Sequence, residues 1–229
     1  MKVLLTSSFI VGLAAVLFST VEKTGNLVDQ SKVTYNITED KKLSGPFIIE
    51  DATKVTRLRG SYTDDKRSGD WYCFDQTGKV VLRYNYTANK LLTLDQTSVS
   101  SLEIKVKDKD PEVTTNARIP IPICSVEQYK KLLVEELKDQ IPAKERAEKA
   151  TITADITAMV DEKGSAKYTA LYYLKGVEYK ANLYTKDKIF SLEWLPAKYN
   201  DKTYKSEVKF STTFEIDPNG FNRRFVWNY

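Results

Sequence analysis

Histidine is missing from all 229 residues. That removes Ser-His-Asp and Cys-His catalysis, His-ligated metals and imidazole acid–base chemistry near neutral pH. The two cysteines, Cys73 and Cys124, are too few for a Cys-rich zinc site. We therefore assign no catalytic, cofactor-binding or metal-ligating residue and expect no cofactor. Asp and Glu are plentiful, but no carboxylate pair stands in a recognisable catalytic setting, and the reading is non-catalytic. An excess of charge of one sign is also lacking: 35 basic side chains face 31 acidic ones. Nothing in that balance draws the chain toward nucleic acid. Where the charges crowd, as in Lys105 to Glu112, they read as an exposed loop. With only seven prolines, a long proline-rich spacer is excluded.

One long apolar run exists, at the start. Lys2 and the amino terminus precede the apolar stretch Val3 to Phe18, and no further charge appears before Glu22. This is the order of a secretory signal peptide, with cleavage expected near Ser19 or Thr20. The run is short for a spanning helix, which needs roughly 20 apolar residues; an uncleaved membrane anchor is the alternative. Both readings export the bulk of the chain, to the periplasm or the outer-membrane and extracellular side. Two cysteines in an exported protein form either a Cys73–Cys124 disulfide or two buried free thiols, and the sequence leaves both open.

Shifted by 24 residues, the sequence matches itself. Asp40, Lys42, Ser44 and Gly45 fall on Asp64, Lys66, Ser68 and Gly69, and Phe47 falls on Trp71. Leu58, Arg59, Tyr62, Thr63 and Lys66 fall on Leu82, Arg83, Tyr86, Thr87 and Lys90. A fixed period of this size signals a repeat architecture. Val80, Leu82, Tyr84 and Tyr86 alternate with their neighbours as a strand does. Glycine-ended polar turns flank the aromatic strand Asp70 to Phe74, and Gly69 and Gly78 are expected at positive φ. The unit is thus a β-hairpin that packs on the next one, with its turn charges in water.

The run Gly69-Asp70-Trp71-Tyr72-Cys73-Phe74-Asp75-Gln76-Thr77-Gly78 resembles the MORN-like repeats of the YwqK antitoxin-type family. The likeness covers about Tyr35 to Leu94, with one good unit and two degraded ones. It implies a scaffold or contact surface.

The second half is patterned differently. From Ala88 to Ser125 the pattern loosens: Leu102, Ile104 and Val106 alternate briefly, the charged loop and the extended Ile119 to Ile123 run follow, and the segment reads as a tether with one strand. Ser125 to Gln128 forms a capping-box sequence, and Val126, Tyr129, Leu133 and Leu137 share one side of the helix that follows. Pro142 ends or kinks that helix. Alternating strands are expected over Thr151 to Val160, Ala166 to Leu174 and Tyr204 to Ile216, with Val177 to Leu192 permitting a helix. The order strand, strand, helix, strand gives an α+β domain with an antiparallel sheet.

Met159-Val160-Asp161-Glu162-Lys163-Gly164, Trp194-Leu195-Pro196-Ala197 and the strand Lys205 to Phe214 resemble the C-terminal domain of the TonB family, over about Ala150 to Asp217. In transducers that domain accepts a receptor's extended segment by strand addition. The polar turn departs from the family, with Asp201 and Thr203-Tyr204 where Gly and Pro-Val are usual.

The expected fold is α+β, mostly β. Its parts are a signal peptide at 1–20, a MORN-like repeat at 21–100, a linker with an amphipathic helix at 101–149, and a TonB-like domain at 150–229. The expected function is an exported binding or scaffold protein of the bacterial envelope. Its partner would be an envelope or outer-membrane protein, and its contact with the membrane would be through the N-terminal segment alone. An inner-membrane energy transducer is the alternative. Trp71, Tyr72, Phe74, Trp194 and Pro196 are the candidate protein-binding residues.

Overall fold

A computed structural model describes residues 19–185 and 189–216. The expected signal peptide up to residue 18 lies outside them. The described residues are mostly β, with 53% of them in strands and 13% helical. This is the α+β, β-dominated fold read from the sequence.

Seven strands build the first sheet as an antiparallel meander in chain order. They are β1 (Thr20–Asn26), β2 (Lys32–Thr38), β3 (Leu43–Glu50), β4 (Thr56–Thr63), β5 (Lys66–Phe74), β6 (Val80–Asn85) and β7 (Lys90–Leu94). The hairpins β1–β2, β3–β4 and β5–β6 succeed one another at the 24-residue period, so the repeat already includes the strand from Thr20 and does not begin at Tyr35. The turns carry the same period. Gln30, Lys54 and Gly78 each have positive φ, and so do Lys41, Asp65 and Asn89 at the opposite end of the hairpins. At the first set of turns, Leu27, Asp51 and Asp75 donate their N–H to the carbonyl four residues on.

The physical content of the repeat is an aromatic ladder on the inner face. Phe47, Tyr62, Trp71 and Tyr86 interleave, with Trp71 edge-on to Tyr62 at 5.2 Å and to Tyr86 at 5.8 Å. Phe47 meets Tyr62 at 5.2 Å and Trp71 at 5.6 Å. One hairpin exposes these rings and the next covers them, so a unit alone is marginal. Gly60 permits the tightest step, because a Cβ there would sit 2.2 Å from the Trp71 ring.

The end of the expected tether is core. A 3-10 turn (Gln96–Val99) leads to β8 (Glu103–Val106), α1 (Pro111–Asn116) and β9 (Ile121–Pro122). Pro120 to Val126 is buried throughout, and its apolar residues belong to the main hydrophobic core. Then α2 (Val126–Gln140) starts at the Ser125 cap, whose hydroxyl accepts the Gln128 N–H. The reciprocal half of the box is not made, as the buried Gln128 amide has no partner.

The second sheet is five-stranded, in the order β12, β11, β10, β16, β8. Its members are β10 (Ala150–Val160), β11 (Ala166–Leu174), β12 (Val177–Leu183), β16 (Ser206–Ile216) and β8. The helix permitted from Val177 is a strand instead. Tyr179, Ala181 and Leu183 turn toward the core side while Glu178, Lys180 and Asn182 are exposed, so the period is two. Short pieces complete the fold: β13 (Trp194–Leu195) pairs with β9, and β14 (Ala197–Tyr199) with β15 (Lys202–Tyr204). One continuous hydrophobic core runs from Leu27 to Ile216 and joins both sheets.

Candidate functional site

Three surfaces bear on function: the seam between the sheets, the solvent face of the repeat, and the edge of the second sheet.

At the seam sits Arg67, which the sequence reading placed among solvated turn charges. It is buried. Strand alternation puts it on the inner face beside Trp71, with its guanidinium 4.3 Å from the ring centroid. It donates to Tyr86 Oη at 3.1 Å and to the Ser191 carbonyl at 2.9 Å, and it pairs with Glu193 at 3.3 Å. Tyr86 donates to the other Glu193 oxygen at 2.7 Å. Burial alone would lower the Arg67 pKa, but Tyr86, Tyr62 and Glu193 outweigh it and hold the group above its ordinary value. Its permanent charge therefore ties the repeat sheet to the 189–195 segment. The chemistry is that of a clamp.

The candidate contact residues divide by face. Trp71 and Trp194 are buried and unavailable to a partner. Trp194 donates to Tyr168 Oη at 2.8 Å and packs edge-on to Tyr129 at 5.2 Å. A Cβ on Gly164 would lie 2.1 Å from the Trp194 carbonyl, so the acidic-Gly turn and the Trp-x-Pro-Ala element meet. Pro196 is half-buried, and its carbonyl accepts from Arg118 at 2.8 Å. Tyr72 and Phe74 lie on the opposite, solvent-facing side of β5. There the register sets Arg59, Tyr72 and Arg83 in one cross-strand row. Arg59 lies 5.0 Å from the Tyr72 centroid and Arg83 lies 5.3 Å from it. Asp70 neutralises Arg83, and that hydrogen bond holds the Asp70 carboxyl below its usual range. The guanidinium groups cap the ring, leaving a flat, mixed face.

The third surface is backbone. β16 has 11 residues and pairs with β10 along its whole length. On its other side β8 covers only Ser206 to Lys209. Lys107 donates to the Lys205 carbonyl, which sets the parity: odd-numbered residues of β16 aim N–H and C=O at the β8 side. Among the described residues, Ser211, Thr213 and Glu215 thus present unpaired backbone groups along that edge. Lys130 and Lys138 of α2 flank it, 5.2 Å and 5.8 Å from the Phe210 and Phe214 centroids. Side-chain patterning gave no sign of this edge, because it depends on how short β8 is.

Cys73 and Cys124 are buried free thiols, and no group of His, Cys, Asp and Glu suited to a metal occurs among the described residues. A small cavity of about 10 Å³ lies beside Cys124, Leu82 and Val99, room for a single water at most.

No family model, curated protein or solved structure matches the chain.

Proposed function

We propose that this chain is an exported, non-catalytic binding protein of the bacterial envelope that captures an extended protein segment on the open edge of β16. The observation that carries this reading is the mismatch between an 11-residue strand and its four-residue neighbour. An incoming strand continues the line of β8 and satisfies the backbone groups of Ser211, Thr213 and Glu215. Strand addition of this kind takes affinity from main-chain bonds and specificity from alternate side-chain sites. The resemblance of the 150–217 region to TonB C-terminal domains supports the same mode. The Tyr72–Phe74 face of the repeat is the second contact surface, held rigid by the Arg67 clamp.

The edge is tested by a photo-crosslinking residue at Ser211, with Lys167 on the outer face of β11 as control, in envelope extract. Adducts at Ser211 that Thr213→Pro abolishes support the reading, since that proline blocks the edge and removes no bond to β10. Equal adducts at Lys167 refute it. Export is tested separately: a mature envelope chain beginning near Val21 supports it, and a full-length chain retained in the inner membrane does not.

A further inference from the structure

We infer that β12 is the surface on which two copies of this chain join, strand against strand, into one continuous sheet. β12 ends the second sheet, and among the described residues no strand covers its far side. The hairpin to β11 fixes which backbone groups are free. Leu174 pairs with Val177 across Lys175 and Gly176, both at positive φ, so Val177 turns its N–H toward β11. Tyr179 and Ala181 share that direction, while Glu178, Lys180 and Asn182 aim N–H and C=O at the open side. Exposed apolar side chains gather at this edge: Val177 is 52% exposed, Tyr173 55% and Tyr184 70%.

Charge selects the register. With a two-fold axis normal to the sheet at Tyr179, Glu178 of each copy lies directly opposite Lys180 of the other, and the pair exchanges backbone hydrogen bonds. Both side chains emerge on the solvent face, where Tyr173 already donates to the Glu178 carboxylate at 2.5 Å. An ion pair then forms on either side of the axis. Moving the axis to Glu178 or Lys180 sets like charges face to face, and moving it to Ala181 takes glutamate and lysine apart. A lysine on an edge usually blocks pairing; two positions from a glutamate, it selects the same strand reversed. The inner face agrees. Tyr179 stacks on its cross-strand neighbour Tyr172 at 5.2 Å, 11° from parallel. The axis brings the two Tyr179 rings side by side and lays Ala181 of the second copy against Val177. Tyr179 and Ala181 face the core yet stay half-buried in the single chain, as befits an inner face that a second copy completes.

The test is sedimentation of the full chain at rising concentration, with charge reversals on the exposed face of β12. Wild type is expected to pass from monomer to dimer. Lys180→Glu and Glu178→Lys should each move that transition to a roughly tenfold higher concentration, because like charges then meet across the axis. An equimolar mixture of the two variants should restore the dimer, since each supplies the charge the other lacks. Tyr179→Cys, on the axis, should cross-link two chains on mild oxidation, and Asn182→Cys, away from it, should not. A wild type that stays monomeric, or a dimer that both reversals leave intact, overturns the inference. β11 and β10 separate β12 from the open edge of β16, so Thr213→Pro leaves the dimer unchanged and the two proposals fail separately.

Discussion

At the scale of single residues, steric closeness and charge decide what can stand where. Gly60 has ordinary negative-φ backbone, yet any Cβ there meets the Trp71 indole carbons at 2.2–2.7 Å. Gly60→Ala must push the ring out of the ladder or bend β4, an overpacking cost of about 1–3 kcal/mol. Chemical denaturation reads it directly, and an unchanged midpoint contradicts the close approach. Arg67 makes the complementary case. Its side chain is 2% exposed whereas that of Glu193 is 43% exposed. Losing the arginine removes the cation–π contact, two hydrogen bonds and the ion pair together. Arg67→Ala is expected to cost about 2–4 kcal/mol, chiefly through the lost hydrogen bonds from a charged donor and the lost cation–π contact. Glu193→Ala should cost less, about 1–3 kcal/mol, because water reaches the carboxylate side. Neither role is legible in sequence. Gly60 lies between two strand-forming halves with no turn signature, and Arg67 sits in a run of charges that elsewhere are solvated.

At the scale of elements, the hairpins were readable because each strand turns one face inward and the aromatics recur with it. The first hairpin was not, because β1 has only Val21 as a large apolar residue, and its turn uses Gln30 where the third unit has Gly78. Turn geometry persisted after the turn sequence diverged. Lys54 holds the same left-handed position at φ 65° and has a Cβ to accommodate. Lys54→Gly should stabilise by about 1 kcal/mol, less the greater freedom glycine gives the unfolded chain. Gly78→Ala, at φ 81°, should destabilise by a similar amount. Opposite shifts in thermal midpoint are the check. The second sheet offers a backbone signature. Thr212 and Phe214 aim their N–H at β10, while Ser211 and Thr213 aim theirs at the open edge. Amide exchange followed by NMR should alternate along β16, slow at the even positions and fast at the odd ones. Uniform protection would show the edge already occupied. The misread of β12 has a plainer cause: Tyr179, Ala181 and Leu183 do alternate, but Ala and Lys dilute the contrast that strand reading depends on.

At the scale of the whole molecule, the absence of histidine and the placement of the other ionisable groups set the pH response. Lys79 holds Asp95 down to about 2 through a direct hydrogen bond. Lys175, Lys198 and Lys107 likewise lower Glu148, Asp201 and Glu207. A lowered carboxylate stabilises the fold above its unfolded pKa and loses that contribution as pH falls through the folded one. Stability should therefore decline between pH about 4.5 and about 2. Lys79→Ala should remove part of that decline. Between pH about 5 and 8 no side-chain type present titrates at its ordinary pKa, so the denaturation midpoint should stay level there. The alkaline limb has the opposite sign. Burial raises Cys73 and Cys124, and it also raises Tyr62, Tyr86 and Tyr168. A raised group stabilises fully below its unfolded pKa and ceases to do so as pH climbs past it. In the reduced chain the loss should begin near pH 8.5, where unfolded thiols ionise. The tyrosines add to the loss only from near pH 10. Midpoints of the reduced chain measured from pH 8 to 11 check it. A midpoint that stays level up to pH 10 would mean that the thiols contribute nothing to the alkaline limb.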